Sequence, residues 1–534
     1  MVRITSSFTL LLAVACSLDL IAQTPQILWD YELQDAAFGN AALADVDNDG
    51  YPEIVFSCYR NDSSVYMLNA EDGSLLWKYN TGGCNDVAPL IIDADGDGDL
   101  EVILPSSCVA KTFCLDADSG YVQWEAPTRG SDSPPTAGDV DNDGKLEILH
   151  GEFGGYVICL NAENGTQLWE LPLDLNSWIQ TAPALLDVDQ NGQLDFVVAN
   201  WSFGSNHRLW AVRADIPQIL WTDTLPDDYM YHGAAFADLD QDGKAELTIG
   251  CYDGKVYCYN AEDGSLSWEY QFPSGSYYIG APTSIGDLDS DGLPEVVFID
   301  AWKVGVLEHN GTLKWSYTIP SLGQSFRGAA LADLNSDDTL DVIFGTTTGK
   351  LFVLHGASGA LLHSVDLSAH AGSSDFEIDH GPVVADFDLD GDLEVFIVGG
   401  HAEYPNIQNN WGRAYAVSFP GASAPYGIEP WSMFRHDVRR SATTWGLFVP
   451  VSSPDPEHAD LVVSPNPSDG LVHFSWDGIS DASLLRWWDL SGRLVGKHSV
   501  SVDESSFSVR LRPGCYIITL SDGERMHTRR AIVY

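Results

Sequence analysis

A nine-residue acidic pattern, Asp-x-Asp/Asn-x-Asp/Asn-Gly-x-x-Glu/Asp, recurs eight times along the chain. Its copies begin at Asp45, Asp93, Asp139, Asp187, Asp238, Asp287, Asp333 and Asp386, at intervals of 46 to 53 residues. A fixed period near fifty marks a propeller or solenoid, in which each repeat buries its apolar faces against its neighbours. A second repeat lies between the loops, as in Val65–Trp77 and Val256–Trp268. It has an alternating apolar run, an Asp-Gly turn and a further apolar run ending in Trp. Such a pattern reads as a β-hairpin. The tryptophans fall at 29, 77, 124, 169, 221, 268 and 315, and Leu361-Leu362-His363 takes the remaining slot.

Each unit thus supplies four short strands. In the first, strand a is Ala41 to Ala44, strand b is Glu53 to Cys58, strand c is the Val65 run and strand d carries Trp77. Four strands per fifty residues make one propeller blade. The ends fix the closure. The chain opens on an orphan d strand, Ile27 to Tyr31, while the last unit has a strand c near Arg413 to Val417 but no Trp strand after it. The orphan therefore completes blade eight and removes a free sheet edge. A solenoid leaves it unexplained. The predicted class is all-β: an eight-bladed propeller closed by its N-terminal strand, followed by a small C-terminal β-sandwich.

The acidic loops carry hard oxygen donors at positions 1, 3, 5 and 9. The sets are Asp45, Asp47, Asp49, Glu53; Asp93, Asp95, Asp97, Glu101; Asp139, Asp141, Asp143, Glu147; and Asp187, Asp189, Asn191, Asp195. The second four are Asp238, Asp240, Asp242, Glu246; Asp287, Asp289, Asp291, Glu295; Asp333, Asn335, Asp337, Asp341; and Asp386, Asp388, Asp390, Glu394. Calcium takes six to eight such ligands. The spacing differs from an EF-hand, whose last ligand stands at position 12, because Phe56 occupies that place in the first loop. Several structural calcium ions are expected. Asp338 replaces the turn glycine in the seventh loop, which is expected to be the weakest site.

The balance of 26 basic against 77 acidic residues gives a net charge of −51. That excludes a nucleic-acid binder, which needs a basic footprint, and disfavours anionic lipid. The excess is local: from Val451 onward 8 basic residues face 11 acidic ones. At the N-terminus, Arg3 and the apolar run Phe8 to Ala15 read as a signal peptide, residues 1–22. Cleavage is expected after Ala13-Val14-Ala15 or near Ile21-Ala22-Gln23, with Cys16 a possible lipid anchor. No stretch is long and apolar enough for a transmembrane helix. Cys114, Cys159 and Cys258 share the strand-c slot of Met67 and read as small core residues. Spacing leaves Cys108–Cys114, Cys251–Cys258 and Cys58–Cys84 open as disulfides.

With Phe38-Gly39 opening the first, the acidic loops resemble FG-GAP or VCBS repeats, as in integrin α-subunit propellers. That resemblance implies calcium between strands a and b. The Asn-Ala-Glu-Asp-Gly-Ser-x-x-Trp segments are similar to the blades of quinoprotein (PQQ-type) propellers. Quinoprotein dehydrogenases place a vicinal Cys-Cys pair beside their cofactor. This sequence has none, so no quinone is expected.

After a Pro/Ser-rich linker, 446–460, come Val463-Ser464-Pro465-Asn466-Pro467, Trp488-Asp489-Leu490-Ser491-Gly492-Arg493 and Leu511-Arg512-Pro513-Gly514-Cys515-Tyr516. Residues 461–534 resemble the type A sorting domain of the type IX secretion system, with Trp488 in place of the usual Tyr. The resemblance implies the type IX machinery as a partner, and the outside or outer surface of a Bacteroidetes-type bacterium as the destination.

Residues 24–445 form the expected propeller. Its d-to-a connections break the repeat and approach the channel. They carry Asp86, Asp132, Gln180, Tyr231, His232, Phe326, Arg327, Asp379 and His380, with Trp178, Tyr277 and Tyr278 nearby. Aromatic faces beside carboxylates and an arginine suit a sugar. His232 and His380 are the available acid–base groups, but no Ser-His-Asp order, phosphate loop or zinc spacing accompanies them. The reading is a binding or adhesion module for an extracellular glycan or protein, not an enzyme. The alternative is a lyase-like polysaccharide-degrading enzyme. A channel mouth blocked by side chains would favour a purely structural role.

Overall fold

The computed structural model describes residues 24–422 and 432–436. In the C-terminal region it describes 462–464, 471–475, 483–489, 494–500, 506–511, 514–521 and 526–533. The signal-peptide, cleavage and linker expectations lie outside these residues. Eight four-stranded antiparallel sheets make up 24–422. Blade one runs Ala42–Ala44, Glu53–Ser57, Ser64–Asn69 and Leu75–Asn80, from the channel outward. Strand b is buried throughout in seven blades and up to Gly400 in the eighth, because both of its faces pack against neighbouring blades. Strand d alternates exposed and half-buried residues, as expected at the outer edge.

The orphan strand closes the ring. Gln26–Leu33 pairs antiparallel with Trp411–Phe419, with Tyr31 opposite Ala414, and becomes strand d of blade eight. Ile54, Phe56 and Leu68 of blade one share a core with Phe396, Val398 and Ala414 of blade eight.

The recurrent tryptophans latch each blade to the next. Indole Nε1 of Trp29 donates to the Ala70 carbonyl, Trp77 to Ala117, Trp124 to Ala162 and Trp221 to Ala261, at 2.7–2.9 Å. Each ring lies on the glycine of the next blade's c–d turn. A Cβ on Gly120, at φ +70°, would stand 2.6 Å from Trp77. Glycine is therefore required twice, for left-handed backbone and for contact. Trp169 has no such glycine before it, since the turn of blade four reads Ala214-Asp215-Ile216-Pro217, and it stacks on Phe196 instead.

The disulfide differs from the three pairings considered. Cys84 bonds Cys108, with Cα atoms 5.1 Å apart, while Cys58, Cys114, Cys251 and Cys258 are buried free thiols. The cause is topological. Cys84 lies on the connection entering blade two and Cys108 on that blade's b–c turn, so both share one rim. Cys114 and Cys258 lie inside strand c and face the core.

A second unforeseen feature crosses the channel. Ser432 accepts from the Val384 amide of blade eight at 2.9 Å. Arg435, 1% exposed, reaches the other side. It donates to the carbonyls of His232 and Ala234 at 3.4 and 3.2 Å and of Pro183 at 3.4 Å. These acceptors immediately precede the inner strands of blades four and five. The segment 432–436 thus bridges the ring and floors the opening above it.

The C-terminal strands form two antiparallel sheets. One orders Val462–Ser464, Leu471–Ser475 and Ser506–Arg510. The other orders Leu494–Val500, Ser483–Asp489, Gly514–Ser521 and Met526–Val533. Phe474, Leu485, Trp487 and Ile518 lie in their shared core.

Trp77→Ala should cost about 3–5 kcal/mol, the range for truncating a buried Trp. Gly120→Ala should also destabilise, by pushing a methyl into the same ring. Denaturant midpoints check both; a Gly120→Ala midpoint equal to wild type would contradict the latch.

Candidate functional site

The two rims of the propeller are built differently. One repeats the acidic loops. In all eight, the position-2 amide donates to one oxygen of the position-9 carboxylate. Val46 binds Glu53, Ala94 Glu101, Val140 Glu147, Val188 Asp195, Leu239 Glu246, Leu288 Glu295, Leu334 Asp341 and Phe387 Glu394, at 2.7–3.0 Å. In seven loops the position-6 amide braces position 1, as in Gly192 to Asp187 at 2.8 Å; in the second loop Gly96 does so from position 4. Position 4 is left-handed in every loop, even at Leu389 (φ 58°). Asp338 holds φ 63° where the other loops have glycine, a conformation that costs a non-glycine residue energy.

In five of these acids the brace takes one oxygen and leaves the other inward. Oδ1 of Asp45, Asp238 and Asp386, Oε1 of Glu147 and Oδ1 of Asp195 are buried without a hydrogen-bond donor. The trios Asp45, Asp47, Glu53 and Asp139, Asp141, Glu147 each gather one carboxylate oxygen within 4.8 Å of the others, as do their counterparts in loops two, four and five. Converging, donor-free carboxylate oxygens fit a hard divalent cation. In the metal-free chain, burial and then the neighbouring acids raise the position-9 carboxyls. Glu53 and Asp341 rise to about 8, and Glu101, Glu147, Asp195, Glu246, Glu295 and Glu394 to about 7.

The other rim surrounds an aromatic bowl above the channel segment. Arg327 stands at its centre. Its Nε lies 3.6 Å from Asp379 Oδ1, its guanidinium 5.6 Å from the Tyr231 ring centre, and its Nη1 3.4 Å from His232 Nε2. A cavity of about 240 Å³ on one side is lined by Tyr231, Tyr252, Gly280, Phe326, Arg327 and Asp379. Another of about 310 Å³ is lined by Phe38, Tyr59, Asp86, Arg327, Asp379 and the Ala402–Tyr404 turn. Asp86 accepts from Ser107 Oγ and Asp132 from Gln180 Nε2, both at 2.9 Å. Burial and the Asp132 charge push Asp86 up to about 7. Burial also raises Asp132 and Asp379, Arg327 opposing it in both.

Of the residues expected at the mouth, the structure brings Asp86, Asp132, Gln180, Tyr231, Phe326, Arg327 and Asp379 together. His232 lies beneath them. Burial, then Arg327 and Arg435, hold its pKa well below the ordinary range, so it is a neutral neighbour of Arg327. His380 is 2% exposed and packs edge-on against Phe396. Trp178 stands between Phe153 and Phe203, at 4.5 and 4.9 Å, and pairs with Trp201 across a short ladder.

Reading only the d-to-a connections missed the part of the wall that the b–c turns supply. Tyr252 stacks on Tyr278 at 4.9 Å, Tyr278 on Phe326 at 5.9 Å, and Trp201 on Tyr229 at 4.2 Å. Tyr59, Phe153, Trp201 and Tyr252 all sit six residues after a position-9 acid. Aligning the b–c turns across blades would have found them.

Family models match in three places. Residues 45–104 and 287–344 match the FG-GAP-like repeat, 113–291 the family described as outer membrane protein assembly factor BamB, and 462–534 the secretion system C-terminal sorting domain. The chain is thus an eight-bladed propeller with FG-GAP-like and quinoprotein-type repeats and a type IX sorting domain, which implies export to the surface or surroundings of a Bacteroidetes-type bacterium. The quinohemoprotein alcohol dehydrogenase ADH-IIG of Pseudomonas putida is 24% identical over 314 residues, covering 52% of this chain and 39% of its own. The polyvinylalcohol dehydrogenase of Sphingopyxis is 23% identical over 276 residues, covering 40% and 42%. The chain spans about two fifths of these relatives. Sqt1 of Saccharomyces cerevisiae shares the fold, with a TM-score of 0.52 at 10% identity, over 75% of this chain and all of that one. No helix among the described residues is long and apolar enough to cross a membrane.

The raised position-9 carboxyls set a pH dependence. A carboxyl whose folded pKa lies above its unfolded value binds more protons when folded, so stability falls as pH rises between the two. Chelator-treated protein should lose roughly 5–10 °C of melting temperature between pH 5 and pH 8. Protein saturated with a divalent cation that fills these loops should stay nearly level from pH 6 to 8. Calorimetry with and without chelator checks this; a metal-free melting temperature that rises with pH contradicts it.

Proposed function

We propose that the protein is a secreted, calcium-stabilised adhesion or binding module, with the aromatic bowl as its ligand site. The donor-free carboxylate oxygens support calcium as a structural ion, held at positions 1, 3, 5 and 9 of the loops. The arrangement at Arg327 carries the ligand reading. A fixed guanidinium separates two aromatic-walled cavities, so a flat, hydroxyl-rich ring can stack on one wall while polar groups orient it. The proposed contacts are Asp86, Asp132, Trp178, Gln180, Tyr231, Phe326, Arg327 and Asp379, with Tyr59 and Tyr252 added. His232 and His380 support the site from below.

Charge narrows the ligand. Asp86, Asp132, Asp379 and Glu403 face Arg327 as the single fixed cation of the named lining residues. A polyanionic chain would meet net repulsion, which counts against the lyase alternative acting on acidic polysaccharide. Neutral or amino-bearing glycans, or a protein surface rich in Lys and Arg, suit it better. The dehydrogenase relatives keep an oxidoreductase role in view. Against it stands the lack of a vicinal Cys-Cys pair anywhere in the sequence.

Calcium-loaded protein lacking the sorting region should retain a neutral or cationic glycan, or a basic peptide, in a binding panel. Tyr252→Ala should weaken it about tenfold or more, near 1.4 kcal/mol, and Arg327→Ala should do the same to a neutral glycan. Chain lengths of the same glycans should be unchanged after incubation. Shortened chains of any one glycan would replace this reading with an enzymatic one.

A further inference from the structure

The sixth acidic loop is faced by a lysine from its own strand d; the basic groups near two other loops come from strand c or its end, Arg213 opposite Asp195 in the fourth and His355 at 3.0 Å from Asp337 in the seventh. In two blades the side chain just before the d-strand tryptophan reaches the position-9 acid of its own blade. In blade two it is Gln123, whose Nε2 donates to Glu101 Oε1 at 3.1 Å. In blade six it is Lys314. Its Nζ donates to Asp289 and, at 2.9 Å, to Glu295 Oε1, with Glu308 Oε1 at 3.3 Å. The corresponding residues elsewhere are Leu28, Leu76, Leu168, Leu220, Ser267 and Leu362, none of them charged.

Lys314 touches two of the acids a metal would need, and leaves Asp289 Oδ1 buried without a donor. Asp289 is position 3 of the loop and Glu295 is position 9. Glu295 spends Oε2 on the Leu288 amide and gives Oε1 to the ammonium. Three N–H donors on Lys314 meet three carboxylates, which satisfies the ammonium without a further ligand. The lysine side chain is only 12% exposed and that of Glu295 1%, so water offers little competition. A divalent ion entering here would have to displace a fixed positive charge.

We propose that Lys314 is a built-in counter-ion that takes the place of the divalent cation in the sixth loop. Blade six then closes without metal while its neighbours require it. The inference rests on the calcium reading of the other loops and predicts one ion fewer than the number of acidic loops otherwise able to bind.

The test is a count of calcium per chain, by native mass spectrometry of the folded protein and by elemental analysis. Lys314→Leu installs the residue most other blades carry and should bind one ion more than wild type. It should also lose more melting temperature on adding chelator. If Lys314→Leu does not fold, Leu76→Lys decides. It places an ammonium over the first loop from a half-buried position and should bind one ion fewer. Calcium on wild type with no change in the deciding variant overturns the counter-ion and leaves the calcium reading standing. No calcium on any of the proteins ends both.

Discussion

The tryptophan latch between successive blades is the contact on which the rest of the molecule depends. A four-stranded blade has two apolar faces and cannot bury either alone. The indole of one blade hydrogen-bonds a carbonyl at the c–d turn of the next and covers the glycine there, which fixes how far each blade is rotated against its neighbour. Repeated around the ring, that rotation returns the chain to its start. Gln26–Leu33 then finds an open edge on Trp411–Phe419 and supplies Trp29, the latch onto blade one. Closure and latching are thus one constraint. The strand that completes the last sheet also carries the side chain that joins it to the first.

The same geometry separates the two rims by purpose. Every a–b loop and c–d turn falls on one rim, where acids and latch glycines recur blade after blade because the interblade contacts admit little else. The d–a connections and b–c turns fall on the other, where no interblade rule applies. There the chain places Trp201, Tyr252, Phe326 and Arg327 on unlike backbones. The segment 432–436 lies between them: Arg435 ties carbonyls of blades four and five, and Phe434 lies 5.9 Å from the His232 ring. The bowl therefore has a floor made by the same chain. None of residues 432–436 lines either cavity, which keeps a binding role compatible with a crossed channel.

Much of this was legible because repetition amplifies weak signals. One acidic loop is an ordinary turn, whereas eight in register fix blade number, strand order and the closing strand. The d–a connections were legible as the places where the repeat fails, and they supplied most of the bowl. What escaped had no repeat to reveal it. The b–c aromatics share a position but vary between Tyr, Phe and Trp, and blades two, six, seven and eight have Ser107, Ala301, Thr347 and Gly400 there. The Cys84–Cys108 pair joins segments adjacent only once two loops share a rim. Arg435 binds backbone carbonyls, and such acceptors leave no trace in side-chain patterns.

Electrostatics shows why the acidic rim tolerates one loop unlike the rest. Each loop buries at least one carboxylate at position 9, and a buried carboxylate needs a positive partner or a proton. The backbone supplies one N–H in every loop, which orients the group but does not neutralise it. The remaining oxygen can take a divalent ion or, near neutral pH, a proton, and in blade six it takes the ammonium of Lys314. These are interchangeable answers to one requirement, so the fold constrains the charge delivered to each loop more tightly than its source. A lysine provides that charge at any calcium concentration, whereas an ion provides it only when the medium contains enough. On the proposed reading, a ring with both kinds of loop has its stability tied to the surrounding solution at the loops that hold an ion and independent of it where Lys314 stands in.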